Sequence, residues 1–142
     1  NFLFYTLKVI FIQNLTSPDT TVTIPATARK VLSVGAFNQD AGSMAPFSGR
    51  GYTADGRLVP LIVAYGVDVT AAGYGGGYVR KTGTSFAAPK ISGYAACIME
   101  WGIVRRNDEN MYGEKLIAYM TRYAVGIEGE EMPGIRQGWG LI

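Results

Sequence analysis

Histidine is missing altogether from the 142 residues, and cysteine occurs once, at Cys97. These scarcities exclude a histidine-ligated metal site, a cysteine zinc cluster and an internal disulfide. The first also means that no complete Ser-His-Asp triad can be built from this chain's own residues. Charge of one sign is scarce too. Thirteen basic against 11 acidic residues leave a formal +2, too close to neutrality to make nucleic acid or an anionic membrane the default partner. Long hydrophobic runs are lacking as well. The most apolar stretch, Phe2 to Ile12, is broken by Lys8 and falls short of the ~20 residues that a spanning helix needs. It has neither the basic start nor the small-residue cleavage site of a signal peptide. Its aromatic and β-branched content predicts one or two buried strands.

What is present suffices for a packed core. Apolar residues make up 48% of the chain and charged residues 17%, the balance of a folded domain or a piece of one rather than of a disordered segment. The 19 glycines are roughly 13% of the chain against about 7% in average usage, which points to tight turns and close backbone approaches. Cys97 lies in the apolar run Tyr94–Met99 and is expected to be a small buried hydrophobe. Asn14-Leu15-Thr16 forms a glycosylation triplet, a pattern common enough by chance to carry no weight.

Along the chain, the segment Thr20–Pro25 reads as extended. Val31–Ala36 and Leu58–Ala64 are nearly continuous in apolar character, as the strands of a parallel sheet are. Pro60 stands near the start of the second, where a lost donor is tolerable. Phe37–Gly51 and Gly66–Gly77 read as loops, and Tyr78–Lys81 as a short strand. After Gly83 the positions Ile91, Tyr94, Ala95, Ile98, Trp101 and Gly102 recur at helical spacing, predicting a helix with one face on the core. Pro89 falls near its start and frees a carbonyl one turn earlier, near Ser85. A second helix is predicted over Gly113–Tyr123, then an acidic loop over Gly126–Gly134, and a closing strand or turn at Gly138-Trp139-Gly140.

One segment stands above this background: Gly83-Thr84-Ser85-Phe86-Ala87-Ala88-Pro89, a loop entering the long helix. A serine in the first helical turn has free backbone N–H groups and the positive end of the dipole beside it. That setting suits a nucleophile whose reaction builds an oxyanion. The plainer reading makes Thr84 or Ser85 a helix N-cap, worth about 1 kcal/mol. Ala87 stands where the Gly-x-Ser-x-Gly elbow would need its last glycine, so that elbow is not present.

The segment, continued through Ile91-Ser92-Gly93, resembles the block around the nucleophilic serine of subtilisin-like proteases, the subtilases. Three further stretches fall in that family's order: Val31–Ala36, Phe47-Ser48-Gly49-Arg50-Gly51, and Ile62–Val69. The stretches 99–104 and 111–115 are similar to the clostridial subtilases tied to spore germination. The resemblance implies an α/β fold, the C-terminal half of a doubly wound parallel sheet with flanking helices. Residues 1–142 would then be a partial catalytic domain that carries the serine but not the Asp and His. It further implies that Ser85 is the nucleophile and that its N–H, with Thr84, supports the oxyanion. Thr82 and Gly83 would line the substrate strand, and Phe86 would wall the leaving-group side.

The departures are equally definite. Tyr65 stands where the family has Pro, and Lys90 where it often has His. Asn14 lacks the glycine neighbours of the family's oxyanion asparagine and is not taken for it. Lys90 is read as a solvated or carbonyl-directed amine rather than a base. The acidic residues are scattered without an oxygen-rich loop, so no metal and no cofactor is expected. The parent would act on a peptide or protein by acyl-serine hydrolysis, and this chain alone is expected to be inactive. Its cut sheet should drive self-association or pairing with the missing N-terminal half. Two other readings compete: a degenerate subtilase kept as a binding or regulatory module, and an unrelated α/β binding domain with a fortuitous Gly-Thr-Ser cap.

Overall fold

The computed structural model describes residues 19–142. The strands expected over Phe2–Ile12, and Asn14, lie outside the described residues. The centre of the molecule is a parallel pair, β1 (Val34–Asn38) with β3 (Ile62–Tyr65), in register from Val34 opposite Ile62 to Phe37 opposite Tyr65. Side chains alternate across such a pair, and here both faces are covered. Ala36, Ile62 and Ala64 point into one cluster with Ala87, Ile91 and Met120. Phe37 and Val63 point into another with Met44, Ile127 and Leu141. That two-sided burial is why both strands read as unbroken apolar runs.

Both runs begin later than expected, at Val34 and Ile62 rather than Val31 and Leu58. The two strands start together because each is the other's partner. Just before them the Leu61 N–H donates to Ser33, whose hydroxyl accepts at 3.0 Å, while Val31 is left exposed. A two-residue strand, β2 (Ser43–Met44), pairs antiparallel with the end of β1 inside the stretch expected as loop. Beside it Ser48 is buried and its Oγ accepts the Ala36 N–H at 3.0 Å. The serine of the Phe-Ser-x-x-Gly turn thus satisfies a backbone donor of β1. On the far side of β3, the Val63 N–H donates to Gly140 at 2.8 Å and the Trp139 N–H to Leu61 at 2.8 Å. The closing segment accordingly lies along the sheet, as expected.

Within the stretch expected as turn, β4 (Val69–Ala72) pairs antiparallel with β5 (Tyr78–Lys81) to make an exposed hairpin. Helix α1 (Thr84–Met99) packs on β1 and β3 and runs into a π-helical turn over Glu100–Val104. Helix α2 occupies the predicted Gly113–Tyr123 and buries Met120. The expected core stripe of α1 is only partly realised. Ile91 and Gly102 are buried, but Tyr94 and Trp101 keep 52% and 44% of their surface. Cys97, expected inside, is exposed. Its side of α1 has no neighbour among the described residues that covers it, so apolar character there did not translate into burial.

Candidate active site

The β4–β5 hairpin delivers the chain to α1 through Thr82 and Gly83. Its base is tied twice. The Asp68 N–H donates to Thr82 Oγ1 at 3.0 Å, and the Arg80 guanidinium donates to the Asp68 carboxylate. Gly83 then turns the backbone with φ +152°, a region closed to other L-residues, and donates its N–H to the Gly66 carbonyl at 2.8 Å. Gly66 itself is required by closeness. A Cβ there would meet Ala36 Cβ at 2.7 Å and the Gly83 carbonyl oxygen at 3.1 Å. The start of α1 is thereby pressed against the end of β3.

Gly83, not Thr84 or Ser85, is the N-cap of α1, and no side chain caps the helix. The plainer reading of this serine is therefore corrected: Gly83's extended positive-φ geometry places Thr84 and Ser85 inside the first turn, where their hydroxyls cannot reach back to cap it. Ser85 is the second helical residue, so its N–H is one of those that a helix leaves without an internal partner. The carbonyl of Ser85 also lacks its usual donor, because the residue four places on is Pro89. The side chain is exposed, and among the described residues its hydroxyl has no hydrogen-bond partner. Thr84 is half-buried beside it, and Phe86 donates its N–H to the Gly83 carbonyl at 3.0 Å while its ring lies 3.7 Å from the point where a Gly83 Cβ would stand. Of the five predicted residues, Thr82 and Ser85 are exposed and Gly83, Thr84 and Phe86 are half-buried.

Next to Ser85 a groove of about 390 Å³ opens between α1 and the segment before β1, lined by Ile24, Pro25, Leu32, Thr84 and Ala88 among others. Sequence reasoning missed Ile24 and Pro25. Their only signal was an extended stretch ending in proline, and nothing in it pointed to the serine. The groove's walls are apolar and hydroxyl-bearing, with no charged side chain among the described residues that line it.

The Lys90 Nζ sits over the half-exposed Tyr65 ring, 5.2 Å from the centroid, a contact the sequence reading did not foresee. The carboxylates with strengthened acidity belong to surface ion pairs instead. Arg57 donates to both oxygens of Asp55 at 3.0 and 2.9 Å and, with Thr53, holds that carboxyl at about 2. The Lys115 ammonium lowers Asp108. Among the described residues no three His, Cys, Asp or Glu side chains converge on a common point, and no helix is long and apolar enough to cross a membrane. The site thus offers a hydroxyl, oriented backbone donors and an apolar groove, but among the described residues nothing at hand that takes a proton from the hydroxyl.

The chain is similar to known proteins. The sequence pattern of the subtilase family matches residues 14–140. The subtilisin-like serine protease Pen ch 13 of Penicillium rubens is 38% identical over 81 residues, covering 57% of this chain and 19% of that protein. The serine protease AprX of Bacillus subtilis is 32% identical, over 58% of this chain and 24% of its own length. The solved structure of the Clostridium perfringens CspB protease superposes with a TM-score of 0.84 at 38% identity, over 89% of this chain and 28% of that one. The chain spans less than half the length of the relatives it matches.

Proposed function

The chain belongs to the subtilase family, and from that premise we propose that it is the serine-bearing part of a serine endopeptidase catalytic domain, with Ser85 as nucleophile. The observation that carries this reading is the placement of Ser85: exposed, without a hydrogen-bond partner among the described residues, second in α1 and two residues after the positive-φ Gly83. In the reaction the Ser85 oxygen adds to a peptide carbonyl, the carbonyl oxygen takes up negative charge, and collapse expels the amine to leave an acyl-serine that water hydrolyses. The Ser85 N–H and the helix dipole face the developing oxyanion, and Thr84 supports it from the side. Thr82 and Gly83 hold the peptide strand and Phe86 walls the leaving-group side. The groove along Ile24 and Pro25 takes an apolar side chain of the substrate.

A serine hydroxyl at neutral pH is a poor nucleophile without a base, and this chain has no histidine. The imidazole, and the carboxylate that orients it, come from residues outside the chain, which approach along the uncovered side of α1. Alone, the 142 residues bind but do not cleave. Fluorophosphonate labelling tests both parts. The isolated chain should label at the background rate of its Ser85→Ala variant, and labelling at the rate of active subtilases would overturn the claim of inactivity. In a longer polypeptide that supplies the histidine, Ser85 should become the labelled residue. Failure there would overturn its role as nucleophile and favour a binding module descended from a protease.

A further inference from the structure

The start of α1 is weakly held by the usual devices. It has no side-chain cap and no acidic residue in its first turn, and Pro89 removes one rung of its hydrogen-bond ladder. Besides the burial of Ala87 and Ile91, it is secured by the Gly83–Gly66 backbone bond, the close approach at Gly66, and one contact from the next turn: the Lys90 ammonium over the Tyr65 ring. The distance of 5.2 Å lies within the roughly 6 Å over which a ring quadrupole attracts a cation. No carboxylate among the described residues pairs with Lys90. The ring is itself steadied from behind by Phe37, centroid to centroid 5.9 Å with a 46° tilt. Tyr65 ends β3 and Lys90 is half-buried on α1, so the contact spans the two elements whose junction presents Ser85.

We propose that Lys90 and Tyr65 form a cation–π clamp between β3 and α1, and that Lys90 is thereby a positioning residue for Ser85. The clamp stands on the contact itself; only its consequence for the serine rests on the function proposed above.

The test has two readouts on the 142-residue chain that need no catalysis. With Lys90 carrying ¹³C at its ε-carbon, the attached protons should resonate upfield from the ring current. The shift should persist in Tyr65→Phe and vanish in Tyr65→Leu. An unshifted resonance in the parent chain, or one unmoved by Tyr65→Leu, overturns the clamp. Amide hydrogen exchange gives the second readout. Lys90→Met should accelerate exchange at Ile91 and its neighbours about two- to fivefold, the factor equivalent to an exposed cation–π contact, with residues 116–120 unchanged and Lys90→Arg restoring protection. Uniform acceleration across both helices, or no rescue by Arg, also overturns it. In a longer polypeptide that labels at Ser85, Lys90→Met should slow the bonding step while leaving reagent affinity unchanged, with rescue by Arg. Unaltered labelling beside an intact ring-current shift would overturn the positioning role and leave the clamp standing. Absence of any labelling would instead count against the nucleophile.

Discussion

The two helices of this molecule obey different rules. Helix α2 buries Met120, half-buries Leu116 and Ile117, and gives Glu114, Lys115 and Arg122 to solvent. It is an amphipathic helix with one face to hide. Helix α1 buries Ala87 and Ile91 against β1 and β3, yet its exposed residues include Ala88, Ser92, Gly93, Ala96 and Cys97 as well as Tyr94. A helix that is apolar or small all round is built to be covered all round, and here one side is uncovered among the described residues. The difference teaches that the apolar face of α2 is met within the described residues, whereas one side of α1 is not. Under the function proposed above, that side is where the segment supplying the base would pack, next to Ser85.

The comparison breaks most visibly on stability. Ile91→Ala removes a side chain 3% exposed in the main cluster, and should cost about 2–5 kcal/mol by denaturant unfolding. Ser92→Ala, the next residue but on the open side, should stay within about 0.5 kcal/mol. Equal costs would mean that the open side is covered in solution, with the contrast between the helices lost.

How far the sequence disclosed this follows the same division. The bounds of α2 and the existence of β5 were legible because their residue patterns match their surroundings, and the Gly-Thr-Ser segment was legible through its resemblance. The exposure of Cys97 was not. An apolar residue reports a preference, and only the packing of something else against it makes a core position. Strand β4 was hidden for a related reason. Val69–Ala72 follows its two β-branched residues with two alanines, and it is a strand only because β5 folds back onto it. The capping role expected of Thr84 or Ser85 depended on where the helix begins, and the +152° φ of Gly83 moved that start to Thr84. The Lys90–Tyr65 contact was out of reach altogether, since nothing in the sequence joins positions 25 residues apart.

A charge placed on the open side sharpens the contrast. Ala96→Glu adds a carboxylate at an exposed position and should leave the folded chain within about 0.5 kcal/mol of its parent. Association through that side, with a second copy or with the segment that supplies the base, should weaken at least tenfold, about 1.4 kcal/mol, in sedimentation experiments. The same change at Ala118, exposed on α2, should leave association untouched. If both substitutions act alike, or neither does, α1 has no privileged open face.

The smallest effect concerns how each helix disposes of its lysine. Lys90 of α1 lies over a ring, whereas Lys115 of α2 donates to Asp108 Oδ1 at 2.7 Å. That hydrogen bond is the main reason the Asp108 carboxyl is more acidic than an ordinary one. A carboxylate whose folded pKa is depressed contributes stability that is fully present above its unfolded pKa, near 3.9, and is lost as pH falls through the lower folded value. Lys115→Ala should therefore destabilise slightly at neutral pH, with the gap between variant and parent closing in acid below the ordinary carboxylate range. Carboxyl ¹³C titration should show Asp108 moving upward toward that range. Lys90→Ala should produce no such closing of the gap, because the ring that receives its charge does not take up a proton as the solution is acidified. A gap that closes in acid for both lysines would show that Lys90 is held by a carboxylate after all.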